Sequence, residues 1–184
     1  MSNRTGTFTQ FNTDDEYMTP TYALRDFFSY TNIDKEKFKL WEPFYGDGES
    51  GKTMKSFGYD VIECKEKDFF HTPAPSEDNV IMVTNPPFSE KKEVLNHILN
   101  VMKFKRFAIL IPSSTFFAKY LHKMIADKKE AFQMLIPNAR IQFVKNGVKT
   151  RCNALDTAWF VSGIDLPDTN GSLHFMPAVG ARDK

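Results

Sequence analysis

Four consecutive residues, Asn85-Pro86-Pro87-Phe88, are suited to chemistry on an amino group conjugated with an aromatic ring, such as that of adenine. Such a nitrogen is a poor nucleophile because its lone pair is delocalised into the ring. Two rigid acceptors that bind both amino hydrogens would draw it toward a tetrahedral geometry. Asn85 offers its side-chain oxygen and Pro86 its carbonyl, and neither proline has an N–H that competes. Phe88 could stack on the base, a contact worth about 1–3 kcal/mol.

A glycine-rich turn lies upstream of this tetrapeptide, between a predicted strand and a predicted helix. It runs Gly46-Asp47-Gly48-Glu49-Ser50-Gly51, and this spacing lets the backbone approach a ligand closely. Glu63, at the end of the next predicted strand, could accept hydrogen bonds from ribose hydroxyls. The pattern is typical of a site for a cofactor that contains a ribose.

The same turn also matches the phosphate-binding pattern G-x-x-x-x-G-K-T over residues 46–53. In that interpretation Lys52 would contact phosphates, Thr53 would bind magnesium, and an acid at the end of a later apolar strand would help to hold the metal. The later strands end in Thr-Asn and Ile-Pro pairs instead. Asp47 and Glu49 make the turn acidic, which suits a cation better than a triphosphate. We therefore favour the ribose-cofactor interpretation over the phosphate loop and over a turn without ligand.

Alternating strands and helices must position these residues. Apolar runs predict strands over residues 38–42, 59–63, 79–84, 107–111 and 157–161, with a stunted strand over 67–70. Helices are predicted over residues 20–30, 51–57, 89–102 and 116–125. Such alternation predicts a mostly parallel, doubly wound sheet. Ligands of these sheets bind beyond the carboxyl ends of the strands, so the glycine turn, Glu63, Asp68 and Asn85 should converge on one edge.

Several local details follow from the same patterns. Thr19-Pro20 predicts an N-cap and a first helical position, and Ser89 and Ser114 are predicted helix caps. Residues 141–144 alternate in polarity before Asn146-Gly147, which predicts an antiparallel hairpin at the sheet edge. Further aromatic residues are expected in the core: Phe27, Phe28, Phe116, Phe117 and Trp159.

Length and composition fit one globular domain, expected over residues 17–184 behind a loose polar arm over residues 1–16. The 184 residues, 41% of them hydrophobic, can bury a sizeable core. No apolar run reaches the ~20 residues that span a bilayer, and the arm lacks a secretory signal. Cys64 and Cys152 give neither a disulfide framework nor a zinc-ligand spacing. We expect an intracellular protein, in cytoplasm or nucleus, without a metal and without a membrane partner.

Three motifs resemble those of amino-methyltransferases, particularly the N6-adenine DNA methyltransferases that use S-adenosyl-L-methionine. They are Tyr17-Met18-Thr19-Pro20, Glu42-Pro43-Phe44-Tyr45-Gly46-Asp47-Gly48 and Asn85-Pro86-Pro87-Phe88-Ser89. Residues 140–143 with a following Gly147 are similar to the late hairpin of compact phage-type and eukaryotic relatives. The resemblance spans residues 17 to 161. It implies a Rossmann-like class I methyltransferase fold and methylation of the adenine N6 amino group in DNA.

The resemblance also implies a role for each matched residue. The expected cofactor-binding residues are Tyr17, Thr19, Pro20, Glu42, Pro43, Phe44, Gly46, Asp47, Gly48, Glu63, Asp68 and Phe69. Among them Glu63 would hold the ribose, while Asp68 and Phe69 would meet the cofactor adenine. The expected catalytic residues are Asn85, Pro86, Pro87 and Phe88. Asp68 lies so close behind Glu63 in sequence that the third strand should be nearly absent.

The same tetrapeptide leaves the substrate open. It is similar to motifs in methyltransferases that act on RNA adenine or on protein glutamine, and a catalytically silent nucleic-acid-binding subunit is an alternative of another class. Nucleic acid, with DNA favoured over RNA, is the expected partner. No separate target-recognition domain is visible, which indicates a homodimer, a partner subunit or low specificity. The cations Arg140, Lys145, Lys149 and Arg151, with Asn153, could contact phosphates or form a solvated surface.

Overall fold

The structure is a computed structural model that describes residues 17–65, 68–145, 148–149, 156–167 and 171–177. Its helices are α1 (Thr21–Thr31), α2 (Glu49–Ser56), α3 (Lys91–Asn96) and α4 (Lys119–Ile125). Its strands are β1 (Lys39–Glu42), β2 (Val61–Glu63), β3 (Val80–Thr84), β4 (Phe107–Pro112), β5 (Phe132–Ile136), β6 (Val144–Lys145), β7 (Val148–Lys149), β8 (Thr157–Ser162) and β9 (Leu173–Phe175). Short 3-10 helices cover Phe69–His71, Phe88–Glu90 and Ser113–Phe117, and a π-helical segment, His97–Met102, continues α3. The expected arm over residues 1–16 lies outside the described residues.

A seven-stranded sheet in the order β2-β1-β3-β4-β8-β5-β9 forms the centre of the described chain. β8 runs antiparallel to its neighbours β4 and β5, while every other pair in the sheet is parallel. The predicted α/β fold, with a mostly parallel sheet and antiparallel pairing toward one side, is confirmed. From β1 the chain pairs first with β2 on one side and later with β3 on the other. The switch point between β1 and β3 is where such sheets bind ligands.

The two faces of this sheet are covered by separate clusters of buried side chains. Alternation along β3 sends Ile81 and Val83 to the face that carries α1 and α2, and Met82 to the face that carries α3 and α4. Trp159 is 1% exposed and Phe27 is fully buried, so both are core residues as predicted. No helix in the described ranges is long and apolar enough to cross a membrane.

Some predicted elements differ from those observed. Residues 69–71 form a 3-10 helix rather than a stunted strand, because Asp68 caps Phe70 N–H at 2.9 Å and turns the chain. β5 and β9 were not predicted, since their short runs are only partly buried. β6 and β7 pair with each other as a separate two-stranded sheet rather than at the edge of the main sheet. The turn residues 146–147 lie outside the described chain.

The helix starts also differ from prediction at three places. Pro20 has an extended backbone, with ψ at 149°, so α1 begins one residue later than predicted. Ser89 and Ser114 lie inside 3-10 helices rather than at helix caps. The reason is the preceding proline in each case: Pro87 (ψ 125°) and Pro112 (ψ 133°) hold the chain extended as it leaves β3 and β4.

Candidate active site

The carboxyl ends of β1, β2 and β3 bring the predicted acids and the tetrapeptide to one edge of the sheet. Glu42 is paired in register with Glu63 at the ends of β1 and β2. Thr84, the last residue of β3, donates its hydroxyl to Glu42 Oε1, and Asn85 follows it directly. This buried hydrogen bond connects the end of β1, which leads into the glycine turn, with the end of β3, which leads into the tetrapeptide.

Glu42 is a buried carboxyl at the switch point. It is 3% exposed and accepts a second hydrogen bond from Phe44 N–H, 3.1 Å away. Burial raises the pKa of Glu42 to about 8, and the nearby Glu63 charge adds to this, whereas the hydrogen bonds from Thr84 and Phe44 oppose it. Without a ligand Glu42 is therefore mostly protonated at neutral pH. A cation placed beside it would favour the carboxylate form.

The glycine turn leaves backbone exposed where a side chain would not fit. Gly46 and Gly48 have φ of 55° and 80°, a left-handed conformation that favours glycine. A Cβ on Gly48 would lie 2.5 Å from Tyr45 Oη, and one on Gly46 would lie 3.0 Å from Met18 Sδ. Gly48 N–H closes the turn on Tyr45 O at 2.8 Å. The turn is tight, and the Met18 side chain lies against it.

The Glu63 carboxylate lies against the first turn of α2, where a phosphate loop would bind phosphate. Glu63 approaches so closely that a Cβ on Gly51 would lie 2.0 Å from its Oε1. Its Oε2 is 2.5 Å from Lys55 Nζ. Lys52, which a phosphate loop would direct at phosphates, pairs instead with Glu49 at 2.5 Å. A carboxylate at this position repels phosphate, so the geometry argues against the phosphate-loop interpretation.

One polar atom of Asn85 has no hydrogen-bond partner among the described residues. Its Nδ2 donates to Tyr17 O, 2.6 Å away, and since a carbonyl only accepts, this contact fixes the orientation of the amide. Its Oδ1 then points the other way, buried and without a hydrogen-bond partner among the described residues. Leaving such an acceptor unsatisfied costs about 1–3 kcal/mol. A ligand with an N–H donor would recover that cost.

Two aromatic side chains, Tyr17 and Phe143, pack around Phe88 of the tetrapeptide. The Tyr17 ring stacks on the Phe88 ring, with centroids 6.2 Å apart and planes 17° apart. Phe143 meets Phe88 edge-on at 5.7 Å and Tyr17 at 6.1 Å. Phe88 is 6% exposed, and the Tyr17 ring covers its stacking face. A base that stacks on Phe88 must displace the Tyr17 ring or enter beside it.

The segment that carries Tyr17 is held from the far end of the chain. Met18 N–H donates to Val144 O at 2.8 Å, and Val144 N–H donates back to Met18 O at 3.0 Å. Phe143, next to that bridge, is 3% exposed and was not predicted as a site residue. Its alternation with Ile141 indicated only a strand. Residues 17–18 and 143–144 thus close over the tetrapeptide together.

Two predicted cofactor residues are already engaged inside the protein. Phe69 is 3% exposed and packs on Phe44, with ring centroids 4.6 Å apart. Asp68 Oδ2 is 2.8 Å from His71 Nδ1. Burial works to raise the pKa of Asp68, but hydrogen bonds from His71 and Phe70 outweigh it and hold the pKa below its usual range. Asp68 uses one acceptor position on each oxygen for these two bonds, and a carboxylate has about four, so it could also accept from the amino group of a cofactor adenine.

The remaining predicted cofactor residues lie along the same edge. Thr19 is 8% exposed, and its hydroxyl has no partner in the described part of the chain. Pro20 is half-buried, Pro43 is buried, and Asp47 is exposed on the outside of the turn. The structure therefore brings the motifs at residues 42–48 and 85–89 together through the bond between Thr84 and Glu42. The motif at residues 17–20 joins them through Tyr17 and Met18.

A scan against protein-family models finds no match for this sequence. A search among curated proteins finds no similar protein. Any functional inference therefore depends on the geometry of this edge and on the motifs in the sequence.

Proposed function

We propose that this chain is an S-adenosyl-L-methionine-dependent methyltransferase that acts on the N6 amino group of adenine in DNA. One observation carries the proposal: the buried, unpartnered Oδ1 of Asn85, whose amide is oriented by Tyr17 O at 2.6 Å. The atom lies at the end of β3, one residue after the Thr84 hydroxyl that binds Glu42. An acceptor fixed in this way is what an amino-group substrate requires.

The two carboxyl groups and the glycine turn at this edge suit the cofactor. Gly46 and Gly48, with their left-handed φ values, make a turn tight enough for its backbone to approach a ligand closely. The buried Glu42 gains a partner when a cationic group lies beside it, which suits the ammonium and sulfonium of S-adenosyl-L-methionine. Glu63, whose Oε2 lies beside Lys55 Nζ, would accept from the ribose hydroxyls.

The residues of the tetrapeptide activate the nucleophile. Asn85 Oδ1 and the Pro86 carbonyl each accept one amino hydrogen of adenine, which concentrates the lone pair on N6. The cofactor, when bound, would supply the methyl group and leave as a neutral thioether, and the methylated N6 would release one proton to water. An adenine in a duplex must be flipped out before it reaches Asn85.

The experiment that tests this function uses the purified chain with labelled cofactor and, side by side, adenine-containing DNA and RNA. We expect label in DNA at adenine N6. Asn85→Ala should lower kcat at least a hundredfold, about the effect of losing one oxyanion-type contact, while cofactor binding persists. Asn100→Ala is the matched control, because Asn100 is exposed and bonds only Asn96 in the described structure.

The possible outcomes separate the alternatives. Label in RNA alone would assign the activity to RNA adenine, and label in a protein glutamine would reassign the acceptor. Cofactor binding without transfer to any of these substrates would indicate a silent subunit. Full kcat in Asn85→Ala would reduce the tetrapeptide to a stiff turn and overturn the proposal.

A further inference from the structure

Phe117 is the most exposed large hydrophobic side chain of the described chain, at 84%. The sequence predicted it in the core beside Phe116. A 3-10 helix has three residues per turn, and Ser113–Phe117 directs Phe116 toward the sheet, where it meets Phe160 edge-on at 5.9 Å. Its neighbour Phe117 therefore points outward, into solvent.

The element that carries Phe117 is well anchored. Thr115 is 1% exposed, and its carbonyl accepts from Ala118 N–H at 3.1 Å. Ser113 N–H donates to Asp156 O at 2.7 Å, which ties the start of the helix to the segment before β8. An exposed aromatic ring on a rigid support is suited to a contact that needs a fixed position.

Phe117 lies on the same edge of the sheet as the candidate active site. β3 and β4 are adjacent and parallel, with Thr84 opposite Ile109. The tetrapeptide follows β3, and the helix of Phe117 follows β4. β4 continues three residues beyond Ile109, to Pro112, and at about 3.3 Å per residue it reaches roughly 10 Å further out. Phe117 thus stands at the outer rim, one strand away from Asn85.

The surroundings of Phe117 are suited to a polyanion. No Asp or Glu occurs between Glu93 and Asp127 in the sequence, and of the acids nearby, Glu93 acts on Tyr120 while Asp156, next to Ser113, is paired with Arg140. Lys119 and Lys123 follow Phe117 on α4, and Lys92 of α3 approaches that helix, with its Nζ 6.0 Å from the Tyr120 ring centroid. Cations next to an exposed aromatic ring are the usual features of a surface that binds nucleic acid, with lysines on phosphates and the ring on bases.

We infer that Phe117 is a second nucleobase contact, which stacks on a base of the bound DNA outside the pocket that holds the target adenine. The inference rests on the proposed function for the identity of the partner. It rests on the exposure, support and surroundings of Phe117 for the contact itself. Stacking there would help hold the strand while the target adenine is out of its stack.

The test measures binding of a fluorescein-labelled DNA duplex of random sequence, and of its single strand, to the full chain. Phe117→Ala should weaken binding about 5- to 150-fold, the range for loss of one base stack. Phe117→Trp should bind like wild type. The matched control is Phe175→Ala, which removes another exposed ring (73%) from the edge strand β9. Cofactor affinity should be unchanged in all three variants.

Phe117→Trp also gives a direct readout. Trp41 and Trp159 are 0% and 1% exposed. Among the described tryptophans, the new indole would therefore be the solvent-exposed one. Stacking on a base should quench its fluorescence. If wild type binds and methylates DNA while Phe117→Ala matches Phe175→Ala, this inference fails and the proposed function stands. If wild type neither binds nor methylates DNA, both fail. Loss of self-association in Phe117→Ala with unchanged DNA binding would show a second copy on this surface and overturn the inference.

Discussion

Replacing Glu42 with glutamine tests the electrostatics of the switch point without assuming any function. Glutamine keeps the acceptor oxygen for Phe44 N–H and the Thr84 hydroxyl, and its amide replaces the hydroxyl of the protonated acid. It cannot ionise. The two proteins therefore differ mainly in the free energy needed to charge a buried carboxyl.

The magnitude follows from the shift in pKa. Burial raises the pKa of Glu42 from 4.5 to about 8, so the folded protein binds an extra proton between these pH values and the unfolded chain does not. The stability contribution of this carboxyl is complete below pH 4.5 and is lost as the pH rises toward 8. At 1.36 kcal/mol per pKa unit, the loss is about 3 kcal/mol at pH 7 and approaches about 5 kcal/mol above pH 8.

The assay is chemical denaturation of wild type and Glu42→Gln from pH 5 to pH 9. The free energy of unfolding of the variant, relative to wild type, should rise by about 4 kcal/mol from pH 5 to pH 9 and level off above pH 8. Glu36→Gln, which changes an exposed carboxyl, is the matched control. A difference between wild type and Glu42→Gln that stays constant over this range would refute the reasoning, because Glu42 would then be ionised throughout.

The same carboxyl links cofactor binding to pH under the proposed function. A cationic cofactor beside Glu42 favours its ionised form, so binding at pH 7 should release a proton. Calorimetry in two buffers of different ionisation enthalpy measures that release. Glu42→Gln should not release it. An identical proton release in the variant would locate the titrating group elsewhere.

Substitutions at three further positions, two of them with a control variant, test the surrounding geometry. Gly48→Ala should lower the free energy of unfolding by about 1–2 kcal/mol, because φ is 80° there; an unchanged denaturation midpoint would contradict this. Glu63→Ala should lower cofactor affinity at least about tenfold, since charged hydrogen bonds contribute about 1.5–3 kcal/mol. Lys55→Ala, which breaks only the ion pair, should leave the affinity unchanged. Calorimetry measures both affinities. Phe88→Leu should raise KM for DNA, and Phe88→Tyr, which keeps a stacking face, should not; equal KM values would remove Phe88 from base binding.

The sequence by itself determined the features that local patterns encode. An apolar run predicts β3, and the two prolines that follow Asn85 predict a loop stiffened by two fixed φ angles. The spacing of Gly46 and Gly48 predicts a tight turn, which their left-handed φ values bear out. Alternation of strands and helices predicts a parallel sheet, and a parallel sheet gathers strand ends such as Glu42 and Glu63 at one edge. Each inference needs only a short window of sequence.

Contacts between distant segments were decided only by the tertiary structure. Tyr17 meets Asn85 from 68 positions away and stacks on Phe88, and Phe143 joins them from beyond β5. Identical local patterns are compatible with many such pairings, because side-chain packing rather than propensity selects among them. The exposure of Phe117 has the same origin. Phenylalanine is typical of a protein core. The 3-10 helix after Pro112, however, turns one phenylalanine ring inward and leaves the next in solvent.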